Sequence, residues 1–431
     1  MRARQPLGEI AEIVRGISFP KDAKSLEPRS GDVACLRTTN VQRDVEWDDL
    51  WFVPTEHVKR AEQFVQPGDI LISTANSYEQ VGKVAAVTAV PRQATLGAFI
   101  SLIRPRAGVE PKFLYHQLAW GRTRSRIRET ASTTTNISNV STKKLAALEL
   151  DVPPLDEQRR IVAEIEKQFS RLDQAVANLK RVKANLKRQT VAILSAAIGG
   201  ELLDRAVLLA STERPDFAPV IDLPCGWSWV SAADVCEVVA SGSTPKPEEM
   251  TSGAGEVPFI KVYNLGFDGS LDFTVKPTFI RRAIHDRQLA RSRCLPGDVL
   301  MNIVGPPLGK VSLVPDSFPE WNINQAIVTF RVGPRILNRL LAYWLMAPPV
   351  QRRIERTSKA TAGQYNVQVS TCRKLVLPLP PLGEQARIVA EVDRRLSITR
   401  EVEAEIDANL KRAQALRQAV LVRAFGIRVP L

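Results

Sequence analysis

The chain has 431 residues, 44% hydrophobic and 24% charged, with a formal net charge of +13. It is too long for one ordinary core and too apolar for a disordered chain, so two or more soluble domains are expected. No run of about 18 apolar residues suggests a membrane span, and no apolar stretch follows Met1–Pro6 as a secretory signal requires. Five scattered cysteines (Cys35, Cys225, Cys236, Cys294, Cys372) without C-x-x-C spacing argue against a disulfide framework or a zinc site and fit a reducing cytoplasm. The basic surplus points to a polyanion, because neutralised phosphates release counterions, although a merely basic protein would show it too.

In chain order, short β-rich runs come first: 69–73, 83–87 and 99–103, punctuated by Pro-Gly-Asp and Gly-Lys turns. A helix is predicted from about Pro111 to Glu129, with Phe113, Leu114, Leu118 and Ile127 at helical spacing. A polar stretch, Ser132-Thr133-Thr134-Thr135-Asn136, follows it. Pro153-Pro154 then stops any helix entering from upstream, and Asp156 is the expected N-cap of a new one. No Pro or Gly intervenes before Gly199, so this helix runs for about 43 residues, roughly 64 Å. Ile165, Phe169, Leu172, Val176, Leu179, Lys183, Leu186, Thr190, Ile193 and Ala197 step alternately by four and three, as a coiled-coil seam does.

The second half repeats the first. Residues 152–165 (VPPLDEQRRIVAEI) recur at 379–392 (LPPLGEQARIVAEV), an offset of 227 with ten of fourteen positions identical. At nearly the same offset, Pro67-Gly68-Asp69 answers Pro296-Gly297-Asp298, Gly82-Lys83-Val84 answers Gly309-Lys310-Val311, and Asn40 answers Asn264. A second helix is predicted over about 337–356, then a second long one with Val392, Leu396, Thr399, Glu403, Ile406, Leu410, Ala413, Arg417, Val420 and Ala424 on its seam. Lys183 and Glu403 are polar breaks, each aligned with an apolar residue of the other copy. Units this long exclude solenoids and propellers. The expected fold class is α+β: two mixed α/β readers separated by two long antiparallel helices forming a coiled coil, a pseudo-two-fold tandem repeat. Its boundaries are a first reader over 1–150, a first helical spacer over 151–203, a linker over 204–222, a second reader over 223–377 and a second spacer over 378–431.

Base readers are typically Arg, Lys, Asn, Gln, Ser and Thr on loops. The candidates are two polar stretches at matching places in the repeat that differ in sequence: Thr133, Thr134, Thr135 and Asn136 in one copy, and Lys359, Thr361, Gln364, Tyr365 and Asn366 in the other. Ser73, Thr74 and Asn76, with their counterpart Asn302, directly follow the Pro-Gly-Asp strand, and Lys83 and Lys310 are expected phosphate contacts. The Arg122, Arg124, Arg126, Arg128 series wraps round a helix, so only part of it could face DNA. Trp47, Trp51, Trp321 and Trp344 read as packing residues.

Catalytic motifs are missing. The Pro-Pro pairs precede Leu or Val rather than the Tyr or Phe of an adenine methyltransferase loop, no G-x-G-x-x-G follows a strand, and Gly305-Pro306-Pro307-Leu308-Gly309-Lys310 is too short and too proline-rich for a P-loop. Three separated histidines (His57, His116, His285) offer no metal cluster.

The doubled P-P-L-x-E-Q-x-R-I-V-A-E element at the head of a long helix resembles the specificity subunits of type I restriction–modification enzymes. Leu223-Pro224-Cys225-Gly226-Trp227-Ser228-Trp229-Val230 is similar to the usual start of a target-recognition domain in that family, as is Arg423-Ala424-Phe425-Gly426 to its helix ends. The first reader lacks a Gly-Trp-x-Trp counterpart. The resemblance implies two target-recognition domains that each read one half of a split, asymmetric sequence in double-stranded DNA. It also implies helices that set the spacer and dock two methyltransferase subunits, with motor-nuclease subunits completing the restriction enzyme. S-adenosylmethionine would sit in the methyltransferase partners; the chain itself would hold no cofactor or metal, catalyse nothing, touch no membrane and act in the cytoplasm. Two rivals are a coiled-coil scaffold binding proteins through its globular ends and a single-chain restriction–methylation enzyme.

Overall fold

A computed structural model describes residues 3–134, 137–202, 214–216, 218–361 and 364–426, with the side chains of 359–361 and 364 outside that description. Most of the expected linker over 204–222 therefore lies outside the described residues. The chain divides into two compact units, Met1–Leu179 with Asp407–Leu431, and Lys180–Ile406. Among the described residues no helix is long and apolar enough to cross a membrane.

In the first unit a four-stranded antiparallel sheet runs in the order Ala11–Arg15, Ile100–Pro105, Ile70–Ser73, Val84–Ala86. Asp32–Leu36 pairs with Trp51–Pro54 on one side and in parallel with Ala94–Leu96 on the other. In the second unit the same four-stranded order is Cys236–Ser241, Ile327–Val332, Val299–Asn302, Val311–Leu313. Its second sheet has five strands, among them Val257–Ile260 in parallel with Trp321–Ile323. Trp321 and Trp344 are fully buried, and Trp47 and Trp51 pack at the edges of apolar clusters.

Two repeated motifs are explained by this scaffold. In each Pro-Gly-Asp turn the glycine takes a positive φ, +91° at Gly68 and +87° at Gly297, where a side chain would be strained. The aspartate is buried under the turn and holds an arginine two-pronged: Asp69 with Arg104 at 2.8 Å and Asp298 with Arg331 at 2.8–3.0 Å. The glutamine of P-P-L-x-E-Q is the second device. Buried Gln158 accepts from the Glu110 N–H and donates to the Gly108 and Pro153 carbonyls; Gln385 does the same with Leu337, Arg335 and Pro380. Each long helix is thereby clasped to its own domain by a buried side chain that satisfies three backbone groups, one of them in a fully buried bond.

The short helices differ from expectation. The single helix expected over 111–129 is two, Pro111–Ala119 and Gly121–Glu129, broken at extended Trp120. The second copy breaks in the same place at Ala347, because the residue before a proline (here Pro348) avoids the helical region. The missing Gly-Trp-x-Trp costs the first unit no strand: Ala3–Pro6 pairs antiparallel with Glu149–Val152 as Ser228–Ser231 does with Val376–Leu379. What it removes is a tie, for Trp227 Nε1 donates to Glu384 of the helix motif at 2.8 Å.

The long helices are Leu155–Ile198 and Leu382–Phe425, 44 residues each. The first starts at Leu155, one residue before the expected cap Asp156; the Pro154 carbonyl receives the Glu157 and Gln158 N–H groups, so the backbone begins the helix before a side-chain cap is needed. Within the first unit Phe169 packs with Leu421, and Asp173 binds Arg417. Within the second, Lys183 Nζ lies 3.4 Å from Glu403 Oε1. The two polar breaks in the seams meet each other, and the helices run antiparallel within each unit.

Candidate nucleic-acid interface

The two groups of polar residues expected to touch DNA, far apart in sequence, fall on one small sheet in each unit. In the first, Ala75–Asn76 pairs with Ser138–Asn139, which pairs with Ser132–Thr133. In the second, Val304–Gly305 pairs with Gln364–Asn366, which pairs with Lys359–Thr361. The same backbone bond anchors both: Val140 N–H to Thr74 C=O at 2.8 Å, and Val367 N–H to Ile303 C=O at 2.9 Å.

Of the expected contacts, Thr133 and Thr134 are exposed, as are Tyr365 (44%) and Asn366. Thr133 Oγ1 lies 3.0 Å from Ser138 Oγ, and Thr134 turns back onto the Ile137 carbonyl. Half-buried Asn76 accepts from the Ser77 N–H. Thr135 and Asn136 lie outside the described residues, as do the side chains of Lys359, Thr361 and Gln364, whose backbones form the hairpin.

Five of the expected residues are buried or engaged within the free chain. Ser73 and Thr74 are buried, and the Thr74 hydroxyl donates to the Phe99 carbonyl. Asn302 is 0% exposed, and its amide holds the following loop: Nδ2 donates to Val304 and Pro307 carbonyls while Oδ1 accepts the Lys310 N–H. Its side chain has no face left for a base. Lys83 is half-buried with Nζ 2.6 Å from Gln42 Oε1, and burial first, then Arg124, lowers its pKa. Lys310 Nζ donates to the Val262 carbonyl. Both amines brace neighbouring loops instead of standing free for phosphate. The arginine series is engaged likewise: Arg124 and Arg128 donate to the Glu79 carbonyl, and Arg126 to Glu149.

Sequence reasoning missed the surface beside the first unit's small sheet. Two adjoining clefts share Arg15, Ala98 and Phe99; one includes Lys144 and the other Arg37, which is paired with Asp49, and no carboxylate lines either cleft itself. In a chain with 46 Asp and Glu residues that sign bias makes a cleft suited to a polyanion. Burial pushes the Cys35, Cys236, Cys294 and Cys372 thiols up to about 12, away from the nucleophilic thiolate. Burial also pulls His116 down to about 4, and no metal-holding cluster occurs among the described residues.

The family model for the type I restriction modification DNA specificity domain matches twice, over residues 4–188 and 224–412, and the chain belongs to that family. It is 23% identical over 425 residues to the specificity subunit of the type I restriction enzyme EcoKI of Escherichia coli strain K12, spanning 97% of this chain and 87% of that one. It is 23% identical over 435 residues to the StySPI specificity subunit of Salmonella potsdam, spanning 98% and 88%. A solved chain from a structural study of assembly and conformational transition in a type I restriction–modification system shares the fold. Its TM-score is 0.68 at 18% identity, with 98% of this chain and 97% of that one covered.

Proposed function

We infer that this chain is the non-catalytic specificity subunit of a type I restriction–modification enzyme, and that each recognition domain reads one half of a bipartite, asymmetric site in duplex DNA. The observation carrying this is the doubled small sheet. Its backbone pairing is the same in both units, yet residues at equivalent places differ: buried Ser138 answers exposed Tyr365 and Thr133 answers Ala360, while Asn139 and Asn366 agree. Equal scaffolds with unequal tips suit two unequal half-sites. The 44-residue helices, about 66 Å at 1.5 Å per residue, set the spacer and dock two methyltransferase subunits. Those partners carry S-adenosylmethionine, and motor-nuclease subunits complete the restriction enzyme. The base contacts we assign are the exposed Thr133, Thr134, Tyr365 and Asn366, with Lys359, Thr361 and Gln364 of the second unit's hairpin and with Thr135 and Asn136, which lie outside the described residues.

Selection from a randomised duplex library, with the methyltransferase partner present, tests this reading. Enrichment of a split motif is expected, and inserting one heptad into each long helix should lengthen the gap while leaving both halves unchanged. No enrichment on any duplex would favour a protein-binding scaffold instead.

A further inference from the structure

Phe99 stands on a turn that both units build in the same way. In the first unit the Ile100 N–H closes onto the Gly97 carbonyl at 3.0 Å, and the Phe99 carbonyl accepts the N–H groups of Thr74 and Ala75 and the Thr74 hydroxyl. In the second the Ile327 N–H closes onto Asn324 at 3.1 Å, and the Ala326 carbonyl accepts the Ile303 N–H. A glycine faces each turn because a Cβ at Gly16 would strike the Gly97 carbonyl, and one at Gly242 the Ile323 carbonyl. The turn is thus pinned from two sides and little able to fold its tip inward.

At that tip the units diverge: Phe99 is 60% exposed, and its counterpart is Ala326. A ring so exposed buries little apolar surface and adds little to the stability of the free protein. Its surroundings name the partner. Phe99 lies between the two clefts; Arg15 is exposed, and while its carbonyl accepts from Gln63, its guanidinium makes no hydrogen bond or ion pair among the described residues. Lys144 edges one cleft, and buried Ser101 lines it with a hydroxyl that has no hydrogen-bond partner. At the equivalent places the second unit has Ser241 for Arg15 and Thr371 for Lys144, so these two cations are particular to the first.

We propose that Phe99 is a specificity-determining residue of the first recognition domain, making apolar contact with a thymine methyl in the major groove while Arg15 holds a flanking phosphate. Apolar contact to that methyl is one of the few ways a side chain tells T from C without a hydrogen bond. The proposal rests on the DNA-reading function inferred above and adds one residue and one base type to it.

The test uses the complex with its methyltransferase subunits and reads the methylated motif genome-wide. With Phe99→Ala, one thymine-containing position in one half-site should lose about tenfold of its preference, while the other half and the melting temperature stay unchanged. Deoxyuridine for that thymine should slow methylation by the wild-type complex to a similar degree. Phe99→Leu should keep most of the preference, and Arg15→Ala should weaken all sites evenly and flatten the salt dependence. A motif unchanged by Phe99→Ala, in a complex whose wild type methylates a split site, overturns the assignment of Phe99 alone. A wild type that follows no motif overturns the function as well.

Discussion

Lys112 and Glu166 of the first unit occupy the places of Arg339 and Asp393 in the second, and both ion pairs, each 2.6 Å long, tie a recognition domain to its own long helix with the same polarity. Seven residues further along each helix the polarity reverses. Asp173 pairs with Arg43 in the first unit, whereas Arg400, its counterpart, faces Asp268 in the second. The place of the tie outlasted the duplication although its charges did not. Position is therefore the constrained quantity, and the opposite signs penalise either domain on the other's helix.

Breaking the shared scaffold should give the largest effect, and an equal one in both units. Asp69→Ala and Asp298→Ala each leave a half-buried arginine without its partner and should cost about 3–5 kcal/mol, read in each unit by hydrogen exchange. A gap of more than about 2 kcal/mol between them would mean the scaffolds are not equivalent.

Acid should separate the units next. His116 packs against Phe169 and Tyr115, and its counterpart is Tyr343, bound to Asp393. Burial holds His116 at about 4, below its ordinary 6.5, so the fold favours the neutral ring. The stability this gives is complete above pH 6.5 and is lost as pH falls towards 4, where the unfolded chain takes up the proton first. His116→Gln should flatten the fall in melting temperature between pH 6.5 and 4.5 in the first unit; buried His285 supplies an independent acid response in the second. An unchanged slope would show that His116 does not resist protonation.

The smallest effect sharpens the reversed tie. Asp173 contacts both Arg43 and Arg417, whereas Arg400 faces Asp268. After solvent screening, Asp173→Arg should cost about 1 kcal/mol and Arg400→Asp a few tenths. Adding Arg43→Asp to Asp173→Arg should recover only part of the loss, because Arg417 remains. Equal losses in a denaturation series would remove the asymmetry.

The architecture was legible where a pattern repeats over many residues: both long helices, the Pro-Gly-Asp strands and the tandem order follow from spacing and offset. Single residues at turns were less legible. Asn302 and Lys310 have the composition of DNA contacts, but a polar side chain beside a turn can equally satisfy buried carbonyls, and only the path of the 304–310 loop decides between them. Phe99 was hidden for the opposite reason. It reads as the first apolar residue of a strand, while the chain places it one step earlier, on the turn. Lys183 and Glu403 looked like separate flaws because the repeat aligns each with an apolar residue; antiparallel pairing brings them together.

Whether equal scaffolds carry unequal readers is tested by methylome sequencing of cells expressing this chain with its methyltransferase partner. One motif made of two different half-sequences separated by a gap of fixed length is expected. A palindromic motif, a continuous one, or methylation without any motif would contradict it.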